Sequence, residues 1–129
     1  MKKLLTILAA FSFLCCTAQT PTKANIETAL RSTWEKAATS SSPKQAVTIH
    51  SIKIGTGAKA NVQDKIDGIP ATATVTIAQI DFTVREYYND QTLVTHRIMI
   101  AKSYKDQFGD WALKSNSMKV IENKSEPAK

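Results

Sequence analysis

The sequence contains few residues of the types that most often form crosslinks or carry chemistry. Its 129 residues include two cysteines, two histidines and four glycines. The cysteines, Cys15 and Cys16, are adjacent, and a normal disulfide needs Cα atoms about 5.5 Å apart, so they are poor candidates for bridging each other. A zinc site would need further cysteine or histidine ligands at suitable spacing, and none stands nearby. The pair therefore predicts neither a disulfide nor a metal site.

The cysteines follow a stretch with the layout of a secretory signal peptide. Residues 1–3 are a short basic start, residues 4–14 are an apolar run, and small residues follow. The apolar run is shorter than the roughly 20 residues that a membrane-spanning helix needs. Cleavage after Ala18 would leave Gln19 as the first residue. The sequence thus predicts a leader at residues 1–18 and an exported protein, periplasmic or secreted.

Lipid attachment at Cys15 or Cys16 is the alternative fate of this stretch. A lipoprotein signal requires small residues just before the modified cysteine, and Phe13 and Leu14 fit that requirement poorly. Soluble export is therefore the preferred interpretation. Both cysteines would then leave with the leader, and the exported chain would have to fold on its hydrophobic core alone, in a compartment that usually favours disulfides.

Length and charge limit what the exported part can be. Removing 18 of 129 residues leaves 111, which predicts a single domain. The formal charge falls from +6 to +4, because the leader contains Lys2 and Lys3 and no acidic residue. The remaining basic residues are scattered, whereas nucleic-acid binding needs a basic stripe. A solvated basic surface is the preferred interpretation, and no nucleic-acid partner is expected.

The first part of the domain has the pattern of one amphipathic helix. Residues 19–23 are polar and predict a flexible arm, and Thr22 or Asn25 can cap a helix that follows. The hydroxyl-rich stretch at residues 39–43 predicts its end, because Pro43 disfavours a helical residue before it. Five residues recur at the spacing of one helix face and predict the stripe that packs on the sheet: Ile26, Leu30, Thr33, Trp34 and Ala37.

The chain beyond Pro43 has β character. The apolar residues change phase at His50-Ser51 and again at Ala78-Gln79, which predicts a bulge or kink at each place. The stretch at 62–66 is undecided, and the polar stretch at 122–129 predicts a disordered tail. Strands are predicted over about 47–54, 71–88, 93–104 and 111–120, with a loop at 55–61.

This order of elements predicts an α+β domain over residues 24–121. An N-terminal amphipathic helix would pack on an antiparallel sheet of about four strands, and the sheet would curve around the helix that alone can cover it. The element order and the hairpin at residues 104–114, with Trp111 after its turn, resemble the cystatin-like and NTF2-like cone folds. That resemblance implies a fold and carries no function with it.

Two polar residues in apolar strands are candidates for catalysis. His96 shares the parity of Val94 and Ile98, so it is expected to face the inside of the cone. The resemblance to NTF2-like enzymes implies that a histidine, aspartate, tyrosine or arginine in such a cavity can be catalytic. Asp81 shares the parity of Thr83, which predicts a polar outer face instead. A structural role is preferred for both, because a general base needs a partner and a pocket.

Metal binding is not predicted from the sequence, and no cofactor is predicted either. His50 lies at the expected bulge and His96 lies on another strand. No cysteine and no obvious carboxylate stands at ligand spacing along the chain.

Aromatic and basic residues supply candidates for a binding surface. Arg85, Tyr87 and Tyr88 form a polar and aromatic patch near a turn, which predicts a binding rim or, as the preferred alternative, cross-strand pairs at a sheet edge. Trp34 is predicted to lie buried between the helix and the long strands, with an exposed recognition anchor as the alternative. Its expected neighbours are Ile80 or Phe82 and Ile98 or Ile100.

The preferred function is non-catalytic binding of a small apolar ligand or an envelope protein by an exported soluble domain. Two alternatives remain open. One is an NTF2-like lyase or isomerase that uses His96 with Asp81 or a tyrosine. The other is a structural module that forms a homodimer through its open sheet.

Overall fold

The computed structural model describes residues 20–127, in which a helix packs on one antiparallel sheet of four strands. The strands lie in the order β1-β2-β3-β4, so each pairs with its neighbour in the sequence. The α+β class and the four-stranded antiparallel sheet are therefore confirmed, whereas the predicted leader and both cysteines lie outside the described residues. The elements are α1 (Lys23–Trp34), β1 (Lys44–Lys59), α2 (Val62–Ile66), β2 (Thr74–Tyr87), β3 (Gln91–Lys105) and β4 (Trp111–Pro127).

Helix α1 begins with a reciprocal cap. The Thr22 hydroxyl accepts the backbone N–H of Asn25 at 3.2 Å, and the Asn25 side chain accepts the N–H of Thr22 at 2.9 Å. Two N–H groups that the helix cannot satisfy internally are thus satisfied. The helix therefore begins within the predicted arm. In the next turns Ile26 and Leu30 are completely buried against the sheet.

Helix α1 ends at Trp34, earlier than the hydroxyl-rich stretch at 39–43 predicts. The backbone just after Trp34 forms hydrogen bonds with β1 in place of continuing the helix. Lys36 pairs with Gln45 at the start of β1, through backbone hydrogen bonds of 3.1 and 2.9 Å. An Arg31 guanidinium N–H also donates to the Val47 carbonyl at 2.7 Å, which fixes the end of the helix to the strand.

The face of the sheet that α1 covers, here called the inner face, carries the main core. Alternate residues of each strand point to this face, as the two-residue period of a strand requires. At the predicted bulge the register passes from Ile49↔Phe82 to Ser51↔Asp81, and His50 is the extra residue. The phase change seen in the sequence is thereby explained. The fully buried strand residues of this core include Ala78, Ile80, Phe82 and Ala101.

The opposite face, here called the outer face, is covered by α2 at one end. A small second core there contains Val75 together with Ala60, Ile69 and Ala73. At the predicted kink, Ala78-Gln79, β2 pairs with β3 without a register shift, so no bulge interrupts that pairing. The apolar phase changes because β2 is covered on different faces at its two ends.

Two further boundaries differ from the prediction. Strand β1 continues through the predicted loop to Lys59, with a second register shift between Ile54 and Gly57. Strand β4 continues to Pro127 opposite Gln91, so residues 122–127 are paired rather than disordered. A hydrogen bond of 2.7 Å between Ser125 and the Gln91 side chain supports that pairing, which composition alone does not reveal.

The chain segment between β1 and β2 is held by polar contacts. Asn61 and Asp64 form a second reciprocal cap that starts α2, and this resolves the stretch that the sequence left undecided. The Asp64 side chain is 4% exposed and pairs with the Lys102 ammonium at 2.5 Å. Within residues 20–127, no helix has the length and apolar character needed to cross a membrane.

Candidate metal centre

Three potential metal ligands from three different strands converge on the outer face. His50 comes from the bulge of β1, Asp81 from β2 and His96 from β3. Each residue offers a ligand atom, and these atoms all lie within 4.8 Å of one another. Imidazole nitrogen and carboxylate oxygen are both common ligands of divalent transition metals. We refer to His50, Asp81 and His96 as the metal-ligand cluster.

Sheet pairing explains why these side chains meet. Thr83 of β2 is directly opposite His96 of β3, which makes Asp81 a diagonal neighbour of His96 on the same face. Ile49 packs on the inner core, so the alternation of β1 places His50 on the outer face, beside Thr83. The bulge then brings Ser51 opposite Asp81 and leaves His50 as the extra residue, and it changes the phase of β1 only beyond His50.

The cluster is joined by hydrogen bonds and ring contact. The His96 Nε2–H donates to the Asp81 carboxylate. His50 Nε2 and the Thr83 hydroxyl share a hydrogen bond of 2.7 Å. The two imidazole rings lie edge to face, with centroids 5.2 Å apart and an interplanar angle of 74°. Thr83, between them, is 6% exposed, so the two imidazoles form a cover over β2.

Charged residues surround the cluster in an open depression of about 300 Å³. Arg85 lies on one side, where its guanidinium donates to the Thr48 hydroxyl at 3.3 Å. Glu122 and Lys124 of β4 lie on the other side, 3.5 Å apart. The side chains of His96 and Asp81 keep 33% and 28% of their surface exposed, so small ions can reach them from solvent.

The position of His96 differs from the prediction. Arg97 and Met99 of β3 point to α1, so His96 points away from the face that the helix covers. Its parity group, which includes Val94 and Ile98, occupies the outer face. Asp81 lies on the outer face, as its own parity indicates. The structure thus brings both catalytic candidates together, outside the core rather than in a cavity.

Ligand spacing along the chain places no carboxylate near either histidine. The paired strands supply Asp81 through space. The signal that could have found the cluster is the register of β1, β2 and β3, and that register is not encoded locally.

The predicted binding residues lie in separate places. Trp34 is half-buried between α1 and the sheet, edge-on to Phe82 at 5.6 Å between ring centroids. Its other expected neighbours, Ile98 and Ile100, belong to the outer face, and the Arg97 guanidinium instead lies 5.0 Å from its ring centroid. Trp34 is therefore a packing residue in this structure.

The polar and aromatic patch lies at the end of β2. Tyr87 and Tyr88 are 41% and 39% exposed, and they border a shallow depression beside the loop at residues 38–43. The Tyr88 hydroxyl donates to Glu86 at 3.0 Å, and this hydrogen bond raises the pKa of Tyr88. Arg85 faces the metal-ligand cluster instead. The patch is thus divided, with only Arg85 at the cluster.

Comparison of the chain with family models, curated proteins and solved structures finds no match.

The cluster can support two kinds of chemistry. Three ligands from a protein can hold a divalent ion and leave a coordination position for a further ligand. Alternatively, a histidine that donates one N–H to a carboxylate can act as a base through its other nitrogen. A base of this kind also needs a substrate pocket that excludes water, and the depression here is open.

Proposed function

We propose that this protein binds a divalent transition-metal ion through His50, Asp81 and His96. The observation that carries the proposal is the convergence of three ligand atoms within 4.8 Å, each from a different strand. A histidine and carboxylate set suits zinc, copper(II) or nickel(II) better than magnesium or calcium, which prefer oxygen ligands.

Formation of the metal site needs only a small rearrangement. Bonds of 2.0–2.1 Å in a tetrahedral zinc site place ligand atoms about 3.3 Å apart. The widest separation, at most 4.8 Å, would therefore shrink by up to about 1.5 Å, whereas the hydrogen-bonded His96 and Asp81 atoms would move slightly apart. Both changes are within the reach of side-chain rotation in this exposed depression. The hydrogen bonds of His50 to Thr83 and of His96 to Asp81 would be exchanged for metal bonds.

Calorimetric titration with zinc tests this proposal. The chain contains only two histidines, so a preparation without a histidine tag confines imidazole ligands to the cluster. We expect one zinc ion per chain, with affinity reduced at least about tenfold in His50→Ala and in His96→Ala. Asp90→Asn, which changes a carboxylate in the exposed turn between β2 and β3, is the matched control and should bind as the parent does. Unchanged affinity in both histidine variants would reject the site.

Metal binding is one form of a more general proposal, a non-catalytic binding role for an exported domain. The interior offers little support for a small apolar ligand. The hollow bordered by Trp34, Leu30 and Met99 is about 100 Å³, whereas ligand pockets are usually about 300–1,000 Å³. An envelope protein as partner remains a proposal, and the outer face is the surface that it would reach without disturbing α1.

A lyase or isomerase is the second candidate, favoured by one observation. Asp81 accepts a hydrogen bond from His96, the arrangement that orients a general base. An activity that survives removal of metal by a chelator but disappears in His96→Ala would support this candidate. An activity lost on chelation and restored by zinc would assign the chemistry to the metal instead.

The predictions on export and fold family also remain proposals. A basic and apolar start supports a leader at residues 1–18, and a mature chain that begins at Gln19 in its intact mass would test it. The order of one helix and four strands supports a cone fold of the cystatin-like or NTF2-like kind, with α1 as its N-terminal helix and the sheet curved around it. An experimental structure would measure that curvature.

A further inference from the structure

We propose that the metal ion at this centre takes a small oxyanion, a carboxylate or phosphate group, as an additional ligand, and that Arg85 holds this anion. The inference rests on the proposed metal binding and specifies what the occupied centre would recognise. Its basis is the pairing of an open three-ligand cluster with a guanidinium in the same depression.

Coordination leaves room for the anion. Zinc bound by three protein ligands keeps a fourth position for water or another ligand. The three ligands here rise from the sheet surface, so the remaining position faces the open depression rather than the core. A volume of about 300 Å³ is enough for a carboxylate or phosphate group.

Charge favours an anion in that position. The Asp81 carboxylate offsets one of the two charges of a divalent ion, and Glu122 offsets Lys124. Arg85 adds one more positive charge, so the occupied depression would be strongly positive. Counter-ions concentrate where positive groups line a concave surface.

The Arg85 guanidinium has suitable geometry for this role. It carries five N–H donors in a planar fork that matches carboxylate and phosphate oxygens. Its hydrogen bond of 3.3 Å to Thr48 uses one of them and directs the group along the sheet towards β1, the strand of His50. Lys124 is a weaker second contributor, because its contacts to Glu122 and Glu126 are long, at 3.5 and 3.6 Å.

Glu122 is the competing occupant of the same position. It is directly opposite His96 in the sheet and lines the depression. Its side chain is 58% exposed and only loosely paired, so it could rotate towards the metal. A Glu122 carboxylate on the metal would close the site, and the experiment must distinguish this outcome from an external anion.

Cobalt(II) is the probe, because its visible absorption changes with the number and type of its ligands. We would load the untagged chain with cobalt and titrate acetate and phosphate separately, at constant ionic strength set with perchlorate. We expect a saturable spectral change with at least one of them. In Arg85→Gln the anion affinity should fall about tenfold or more, as loss of a charged hydrogen bond implies, with cobalt affinity nearly unchanged.

Matched variants separate the outcomes. Lys119→Gln removes a charge elsewhere on the outer side of β4 and should leave anion affinity within about threefold of the parent, since exposed charges are screened by salt. A cobalt spectrum that neither anion alters, but that Glu122→Gln does, would make Glu122 the fourth ligand and overturn the proposal. Equal anion affinity in Arg85→Gln and the parent would also overturn it. Absence of any cobalt spectrum would instead reject the metal site itself.

Discussion

The imidazole rings of His50 and His96 lie edge to face, 5.2 Å apart, although they belong to strands that do not pair with each other. Strand β2 runs between them and contributes Asp81 to the cluster and Thr83 beneath the rings. The site therefore depends on the register of three strands. A shift in the register of any one of them would separate the ligands even with every side chain retained.

Metal binding should stabilise the folded chain. The three ligands come together only in the folded chain, so zinc should bind the folded state and not the unfolded one. Such a ligand raises the free energy of unfolding by about 2.7 kcal/mol when its free concentration is 100 times the dissociation constant. We expect zinc to raise the thermal midpoint of the parent and to have little effect on His50→Ala. Differential scanning calorimetry with and without zinc measures both.

A shift of equal size in His50→Ala would place the bound zinc elsewhere. Lys119→Gln is the control for general effects of charge on the outer face, and its midpoint should rise with zinc as much as that of the parent. Magnesium at the same concentration should produce no comparable shift, because it prefers oxygen ligands.

The sequence allowed prediction of the elements but not of the faces they present. The bulge at His50 was predictable, because a one-residue change of phase leaves a local trace. The side that His96 faces was not, because β3 has apolar residues on both sides, with Val94 and Ile98 outside and Met99 inside. The alternation of a strand shows which residues share a face, but it does not show which of the two faces the helix covers.

Cover from other segments explains the remaining differences. Val75 is buried by the segment just before it, which includes Ala60, Ile69 and Ala73 and lies over the outer face, so the phase of Val75 resembles a kink in β2. The final part of β4 has few apolar residues and was therefore predicted as a disordered tail. It forms a strand because β3 offers a long edge to pair with, from Gln91 onwards.

Truncation of Trp34 should be costly even though this side chain is only half-buried. It packs edge-on against the fully buried Phe82 and under the Arg97 guanidinium. We expect Trp34→Ala to lower the free energy of unfolding by about 3 kcal/mol, near the lower end for loss of a large aromatic side chain. Urea unfolding measures the change. Phe108→Ala, at a 78% exposed aromatic residue, is the control and should cost less than about 0.5 kcal/mol.

Acid should weaken the attachment of α2 to the sheet. The hydrogen bond from Lys102 lowers the pKa of the Asp64 carboxyl below its ordinary value of 3.8, with the backbone N–H of Asn61 acting in the same direction. A carboxyl with a depressed folded-state pKa contributes stability that is present above the unfolded-state pKa and is lost as the pH falls through the folded-state pKa. The loss should therefore begin near pH 4 and continue below it.

Urea unfolding of the parent and of Asp64→Asn between about pH 6 and pH 2 tests this direction. The stability of the parent should fall more steeply with acid, because the asparagine variant has no charge to lose at this position. Asp67→Asn is the matched control, since the contact of Asp67 to Lys114 is longer, at 3.9 Å. Parallel pH profiles for the parent and Asp64→Asn would contradict the proposed role of the ion pair.

Gly57 should tolerate a side chain poorly, because β1 approaches β2 closely at its second register shift. A Cβ atom at this position would lie 2.8 Å from the Thr74 methyl group and 3.0 Å from the Thr76 hydroxyl. Threonine is stiff about its first side-chain bond, so the strands would have to separate. We expect Gly57→Ala to lower the free energy of unfolding by about 1–3 kcal/mol, as other insertions into packed sites do.

Thr74→Ser removes the obstructing methyl group and keeps the hydroxyl, so the double variant should recover part of the loss. Urea unfolding of both single variants and the double variant measures the coupling, and strictly additive costs would show that the methyl group is not the obstacle.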